Sequence, residues 1–327
     1  MKPHTRRLTV GALATLAVTG TLLSPANSAE TEPTDGGDTS IGNVTGGDIN
    51  LAGIPVPEAI QAQSNLKEQA AAAYWNAKNG LGTIEDAVEA SRVYEETYPS
   101  AVDIASQTDL AGAVEERLDD IGAINSRSAV VASTESLAVT ASATTARTLL
   151  VTHSPQSKNY WCGPASGRMI LSWLAAGNSA YDGSKQVQTN IANDNHMKTE
   201  TNGVTSWASG RFRIGLNRWL KGTSTGWYVD QATPTAAQVK SFVTYDIDNG
   251  HPMGADTVEI AGGNHYNNHP ANQTIGHWII ANGYDNNGDT TKFMDPSTSV
   301  WSAASASFSA NTTTFTNRYL QNNGITW

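Results

Sequence analysis

Residues 276–296 leave the chain little choice of local structure. Gly276-His-Trp-Ile-Ile-Ala-Asn-Gly-Tyr284 is a short, uncharged, mostly apolar run bounded by Gly, which reads as a buried strand. Asp285-Asn-Asn-Gly-Asp289 follows with Asn-Gly at its centre, the strongest short hairpin signal, because both residues tolerate positive φ. Lys292-Phe-Met-Asp295 then reads as the returning strand, stopped by Pro296. With Asn287-Gly288 as the turn, His277 falls opposite Thr298, three residues past Asp295. Such a ribbon carries an imidazole at the start of one strand close to a carboxylate at the end of the next.

The chain has one cysteine, Cys162. A single thiol forms no internal disulfide, so the fold must be held by its core or by a bound ion. After it, Ala165, Met169, Ile170, Trp173 and Leu174 fall on one helical stripe, with Gly177 as a natural stop. Gly163-Pro164 suits the first turn, where proline loses no hydrogen bond. Cys162 therefore begins a helix, where the unpaired N–H groups and the positive dipole end are expected to favour thiolate. Six residues earlier, Gln156 offers a side-chain amide that could stabilise an oxyanion together with a backbone N–H.

Gln156, five residues, then Cys162-Gly-Pro-Ala opening a helix resembles the papain-like cysteine peptidases, and within them the bacteriocin-leader-processing, C39-like branch. Trp161-Cys162-Gly163 replaces the Gly-Ser-Cys-Trp of the plant enzymes. Gly276-His277-Trp followed by a strand, a turn and Asp295-Pro296 is similar to the same family. The resemblance spans about residues 154–300. It implies an α+β, papain-like fold in which a helix carrying the nucleophile packs on an antiparallel sheet. It also implies Cys162 as nucleophile, His277 as base, Asp295 as the orienting acid and Gln156 in the oxyanion hole. The reaction expected is hydrolysis of peptide bonds through a thioester, with a peptide or protein as partner and no metal or organic cofactor. A cell-wall amidase, an acyl transferase or a catalytically silent binding module would use the same scaffold.

Upstream, Met1–Arg7 carries three positive charges and Leu8–Leu23 is uncharged and rich in Leu, Val, Ala and Gly. The small residues of Ser24–Ala29 follow. This is the layout of a signal peptide over residues 1–29, and it implies a secreted protein. Its removal takes away Lys2, Arg6 and Arg7 and no acid, moving the formal net charge from −10 to −13. That charge argues against nucleic acid or an anionic membrane as partner. Residues 30–54 read as a linker, 55–125 as a helical region that is either an inhibitory propeptide or an accessory segment, and 126–147 as a second linker. The catalytic domain is then expected over 148–327.

Three further signals carry less. His265-Tyr-Asn-Asn-His269 has ligand spacing, yet Asn-Asn-His-Pro reads as a surface loop, so no metal site is expected there. Asp285, Asn287 and Asp289 alternate like calcium-loop ligands, but the glycine and twelfth-position glutamate are wrong, and a plain turn is expected. Trp207, Trp227 and Tyr228 are candidate substrate contacts, and His251 is read as scaffold.

Overall fold

The computed structural model describes residues 56–102, 109–134 and 145–327. The expected signal peptide and the linker at 30–54 lie outside them. The described chain is a mixed α+β structure, with helices packed around one antiparallel sheet.

The N-terminal helices are α1 (Glu58–Lys78), α2 (Ile84–Thr97), the single turn α3 (Pro99–Val102) and α4 (Leu110–Thr134). Thr83 caps α2 by accepting from the Asp86 N–H at 3.0 Å. Helix α4 runs into the stretch 126–147 that composition marks as linker. The physical reason is that residues 123–134 hold no Gly or Pro to end a helix.

Strand β1 (Arg147–Thr148) leads into α5 (Cys162–Trp173), the short turns α6 (Gln188–Ile191) and α7 (Thr199–Asn202), and α8 (Arg211–Lys221). Then come β2 (Asp230–Ala232), α9 (Ala236–Asp248), β3 (Met253–Glu259), β4 (Ile275–Asp285), β5 (Thr290–Met294), β6 (Ser307–Asn311), α10 (Thr312–Tyr319) and β7 (Gly324–Thr326). The sheet order is β2-β7-β3-β4-β5-β6, with β1 added on β4 at Gly283 and Tyr284. Helix α9 starts with a complete capping box between Thr235 and Gln238. Helix α5 stops at Trp173, four residues before Gly177, where Ala175 takes a φ of 51°.

Strand β4 is buried from Ile275 to Tyr284, as its apolar run requires. Next to the turn, Asp285, Tyr284 and Gly283 pair with Thr290, Thr291 and Lys292. A bulge between Ala281 and Gly283 then shifts the register by one, which draws Asp295 nearer to His277 than an unbroken ladder would. The Asp285–Asp289 segment is a tight turn with Asn287 at φ 53°, and its acids pair with Lys292 and Lys240.

The N-terminal helices are built into the core. Helix α1 packs on α2 and on α9. Lys67, fully buried, lies 3.2 Å from Asp246 and sits over the rings of Trp227 and Trp327 at 4.0 and 4.5 Å. Two residues further along α9, Asp248 accepts from Lys78 Nζ at 2.6 Å and from Tyr74 and Tyr284 Oη at 2.7 Å each. Tyr284 is seven residues along β4 from His277, about 24 Å at the strand rise.

Candidate active site

The peptide group of Trp278 fixes the start of α5 against β4. Its N–H points at Cys162 Sγ, 3.3 Å away, and its carbonyl accepts from Ser166 Oγ at 3.0 Å. Cys162 and Ser166 are four residues apart on α5, so they share a face. The residue before Trp278 is His277, and the cysteine is thereby seated beside the imidazole-bearing position of the strand. Trp278 is itself held by stacking on Phe212, with ring centroids 4.1 Å apart, and by donating from Nε1 to Thr205 O at 2.9 Å.

Glycine at 163 is a steric requirement here. A Cβ at Gly163 would lie 2.0 Å from Thr205 Oγ1. Thr205 is pinned by its hydroxyl contact with Thr199 Oγ1 at 2.6 Å and by the Trp278 indole on its carbonyl. Gly163→Ala is therefore expected to cost about 1–3 kcal/mol, as overpacking does. A thermal melt should read this as a Tm lowered by roughly 2–12 °C. An unchanged melt would mean that Thr205 yields freely.

His277 Nε2 lies 2.9 Å from Asp295 Oδ1, and both side chains are fully buried. With that nitrogen donating to the carboxylate, the lone pair sits on Nδ1, which has no hydrogen-bond partner. Asp295 accepts four hydrogen bonds. Oδ1 takes His277 Nε2 and the Ser297 N–H at 2.8 Å, and Oδ2 takes His269 Nε2 at 2.8 Å and Asn267 Nδ2 at 2.7 Å. Burial alone would raise its pKa, but the two histidines and these donors hold it well below the usual carboxylate range. Trp301 lies against both imidazoles, 4.4 Å from His269 and 5.8 Å from His277 between ring centroids.

Several expectations need correction. Cys162 begins a helix, but it is fully buried, and desolvation pushes its thiol up despite the hydrogen bond from Trp278 N–H. The dipole argument for a thiolate is outweighed by burial in this state. The Gln156 side chain is buried too, with Nε2 donating to Lys158 O and Asn159 O at 2.9 Å each. Both amide protons thus brace the loop before Cys162, and no proton is left for an oxyanion in this state. The Gln156 backbone ties the same loop to the acid, through its N–H on Pro296 O at 2.9 Å.

Trp227 and Tyr228 line no cleft. Trp227 stacks on His251 at 4.1 Å under Lys67, and Tyr228 Oη donates to Pro252 O at 3.0 Å. Both are in the core because the α1–α9 layer covers them. Trp207 is buried against Trp278 at 6.0 Å, a packing support beside the site. His251 is a core group, its pKa pulled down to about 3 by burial first and Lys67 second.

The loop Asn-Asn-His269-Pro is a loop but not a surface one, since His269 is buried between Glu259 and Asp295. Sequence reasoning missed Glu259, Asn267 and Trp301, and set His269 aside as a surface-loop residue. The available signal was Glu259, an acid closing a strand of otherwise buried residues, which demands a partner. Among the described residues, His269, His277 and Asp295 are the one group of three whose ligand-type atoms converge within 4.8 Å. Both Nε2 atoms hydrogen-bond Asp295, which makes the group a buried hydrogen-bonded cluster.

A family model described as Peptidase_C39 like family matches residues 148–326, more than half of the chain. The chain belongs to that family. No curated protein and no solved structure matches it. The C39-like match begins at Thr148 in β1 and ends at Thr326 in β7, so it takes in α5, the sheet and every side chain of the cluster. It identifies a papain-like domain of cysteine-peptidase type.

Proposed function

We propose that this protein is a secreted cysteine peptidase that cleaves peptide bonds with Cys162, His277 and Asp295. The observation that carries this is the commitment of His277 Nε2 to Asp295, which leaves Nδ1 as an acceptor on the strand whose next N–H holds the sulfur. In the first step the thiol proton passes to His277 Nδ1 and Sγ bonds to the substrate carbonyl carbon. The oxyanion is held by the backbone N–H of Cys162, joined by Gln156 once its amide leaves a loop carbonyl. His277 returns the proton to the leaving amine as the C–N bond breaks, and water then hydrolyses the thioester. Asp295 keeps His277 in the required tautomer throughout. The proposed partner is a peptide or protein chain, and export rests on the signal-peptide pattern of residues 1–29. Among the described residues no helix is long and apolar enough to cross a membrane.

The complete burial of Cys162 favours a second reading, a catalytically silent module of the same family. Alkylation separates the two. The peptidase should react with iodoacetamide near neutral pH well above the rate of an ordinary thiol, lose that rate in His277→Ala, and degrade an unfolded protein. Labelling that is slow and indifferent to His277 would leave the binding module standing.

A further inference from the structure

Outside the three residues just assigned, the most unusual group in the molecule is His269. Its Nδ1 faces Glu259 Oε2 at 2.6 Å and its Nε2 faces Asp295 Oδ2 at 2.8 Å. A neutral imidazole has one N–H and one lone pair, so it would turn a lone pair on one of those carboxylates. Only the imidazolium donates to both. Glu259 is fixed in turn, because its Oε1 accepts the Tyr266 N–H at 2.8 Å. The result is an unbroken buried chain, Glu259 to His269 to Asp295 to His277, drawn from β3, the 260–274 loop, the end of β5, and β4.

We propose that His269, braced by Glu259, is a positioning residue of this site: a buried cation that aims the second oxygen of Asp295 and balances its charge. The inference rests on the peptidase reading of Cys162, His277 and Asp295. With Oδ2 tied to a cation and to Asn267, the carboxylate cannot rotate, and Oδ1 stays on His277 and the Ser297 N–H. The positive charge also limits how tightly Asp295 holds a protonated His277, which must give its proton to the leaving amine. Burial works against a charged His269, but the hydrogen bonds to Asp295 and Glu259 overcome it and leave the pKa up at about 9. Other titratable groups facing this chain are His265, whose Nδ1 is 3.5 Å from Glu259 Oε1, Tyr266, packed on the His269 ring at 4.6 Å, and His153, whose Nε2 lies 2.8 Å from the Asp295 backbone carbonyl. Tyr319 on α10 feels Glu259, and Cys162 on α5 feels Asp295.

His269→Gln keeps one donor and removes the charge. We expect kcat/KM for peptide hydrolysis to fall about 10–100-fold, the scale of a small misplacement of reacting groups. We expect that fall to lie in kcat, with KM within about twofold of the parent, because His269 orients the carboxylate that holds His277 and touches no substrate. Glu259→Gln should cost less, and the double variant no more than His269→Gln alone, since Glu259 acts through His269. A residue that merely supports the fold would lower Tm and leave the kcat of the folded protein where it was, and that result overturns the proposal. Should His269→Gln fail to fold, nitrogen NMR of the unaltered protein decides. Both ring nitrogens of His269 should be protonated at pH 7.5 and titrate near pH 9, and a neutral ring at pH 7.5 is the contrary outcome. Unaltered protein whose Cys162 lacks His277-dependent alkylation would instead sink the peptidase reading itself.

Discussion

Asp295→Ala is expected to lower kcat by about 10³–10⁴-fold, the scale seen when the orienting acid of a triad is disabled. Four donors converge on this carboxylate, and two of them belong to buried imidazoles. Without it, nothing holds the proton on His277 Nε2, so the ring can place it on Nδ1 and the acceptor proposed for the thiol proton is lost. The same change should be destabilising by about 3–5 kcal/mol, as removal of one partner from a buried ionic cluster is. That corresponds to a Tm lower by roughly 6–20 °C. Asp295→Asn should lose less stability, with kcat falling on the same scale. An amide oxygen can serve His277 and Ser297, while its nitrogen is accommodated if His269 gives up the Nε2 proton and Asn267 turns its amide. Turnover within tenfold of the parent and an unmoved melt in Asp295→Ala would refute the arrangement.

The difference between what the sequence disclosed and what it hid follows the range of the interactions. The hairpin was legible because its turn chemistry, apolar run and closing proline are all local, and the register nearest Asn287-Gly288 is the one that turn imposes. The bulge at Asn282 was not legible. It arises where β4 must also satisfy Leu149, whose N–H bonds Asn282 O at 2.8 Å and whose carbonyl accepts Asn282 Nδ2 at 3.0 Å. The helix start at Cys162 was likewise local, whereas the burial that raises its thiol comes from strands and loops more than 40 residues away. Trp227 and Tyr228 were misjudged as substrate contacts because an aromatic pair carries no mark of which layer will cover it. His269 was discounted because loops lacking apolar residues usually face water. Its burial comes from Glu259, ten residues earlier, and Asp295, twenty-six later, pairings that no window on the sequence contains.

Lys67→Ala is expected to destabilise the protein by about 3–5 kcal/mol, because it strands the fully buried Asp246 without its counter-charge. Burial already pulls the Lys67 ammonium down and pushes the Asp246 carboxyl up, so each depends on the other to stay charged. The Lys67 Nζ also faces the Trp227 ring and the Trp327 ring, which gives it a second source of stabilisation that alanine removes. Replacing both partners with apolar side chains, Lys67→Met with Asp246→Leu, should recover most of the loss, since neither charge is then left alone. A Tm within 2 °C or so of the parent in Lys67→Ala would contradict the burial of this pair. The argument reaches the role of the helices as well. A propeptide cut away on activation would leave Asp246 without Lys67 and Asp248 without Lys78, two buried acids at the foot of α9. Such a cost is hard to reconcile with a segment meant to leave, so the active protein is expected to retain α1. N-terminal sequencing should accordingly place the start of the active form before Glu58, and a start beyond Lys78 would show that α9 tolerates the loss.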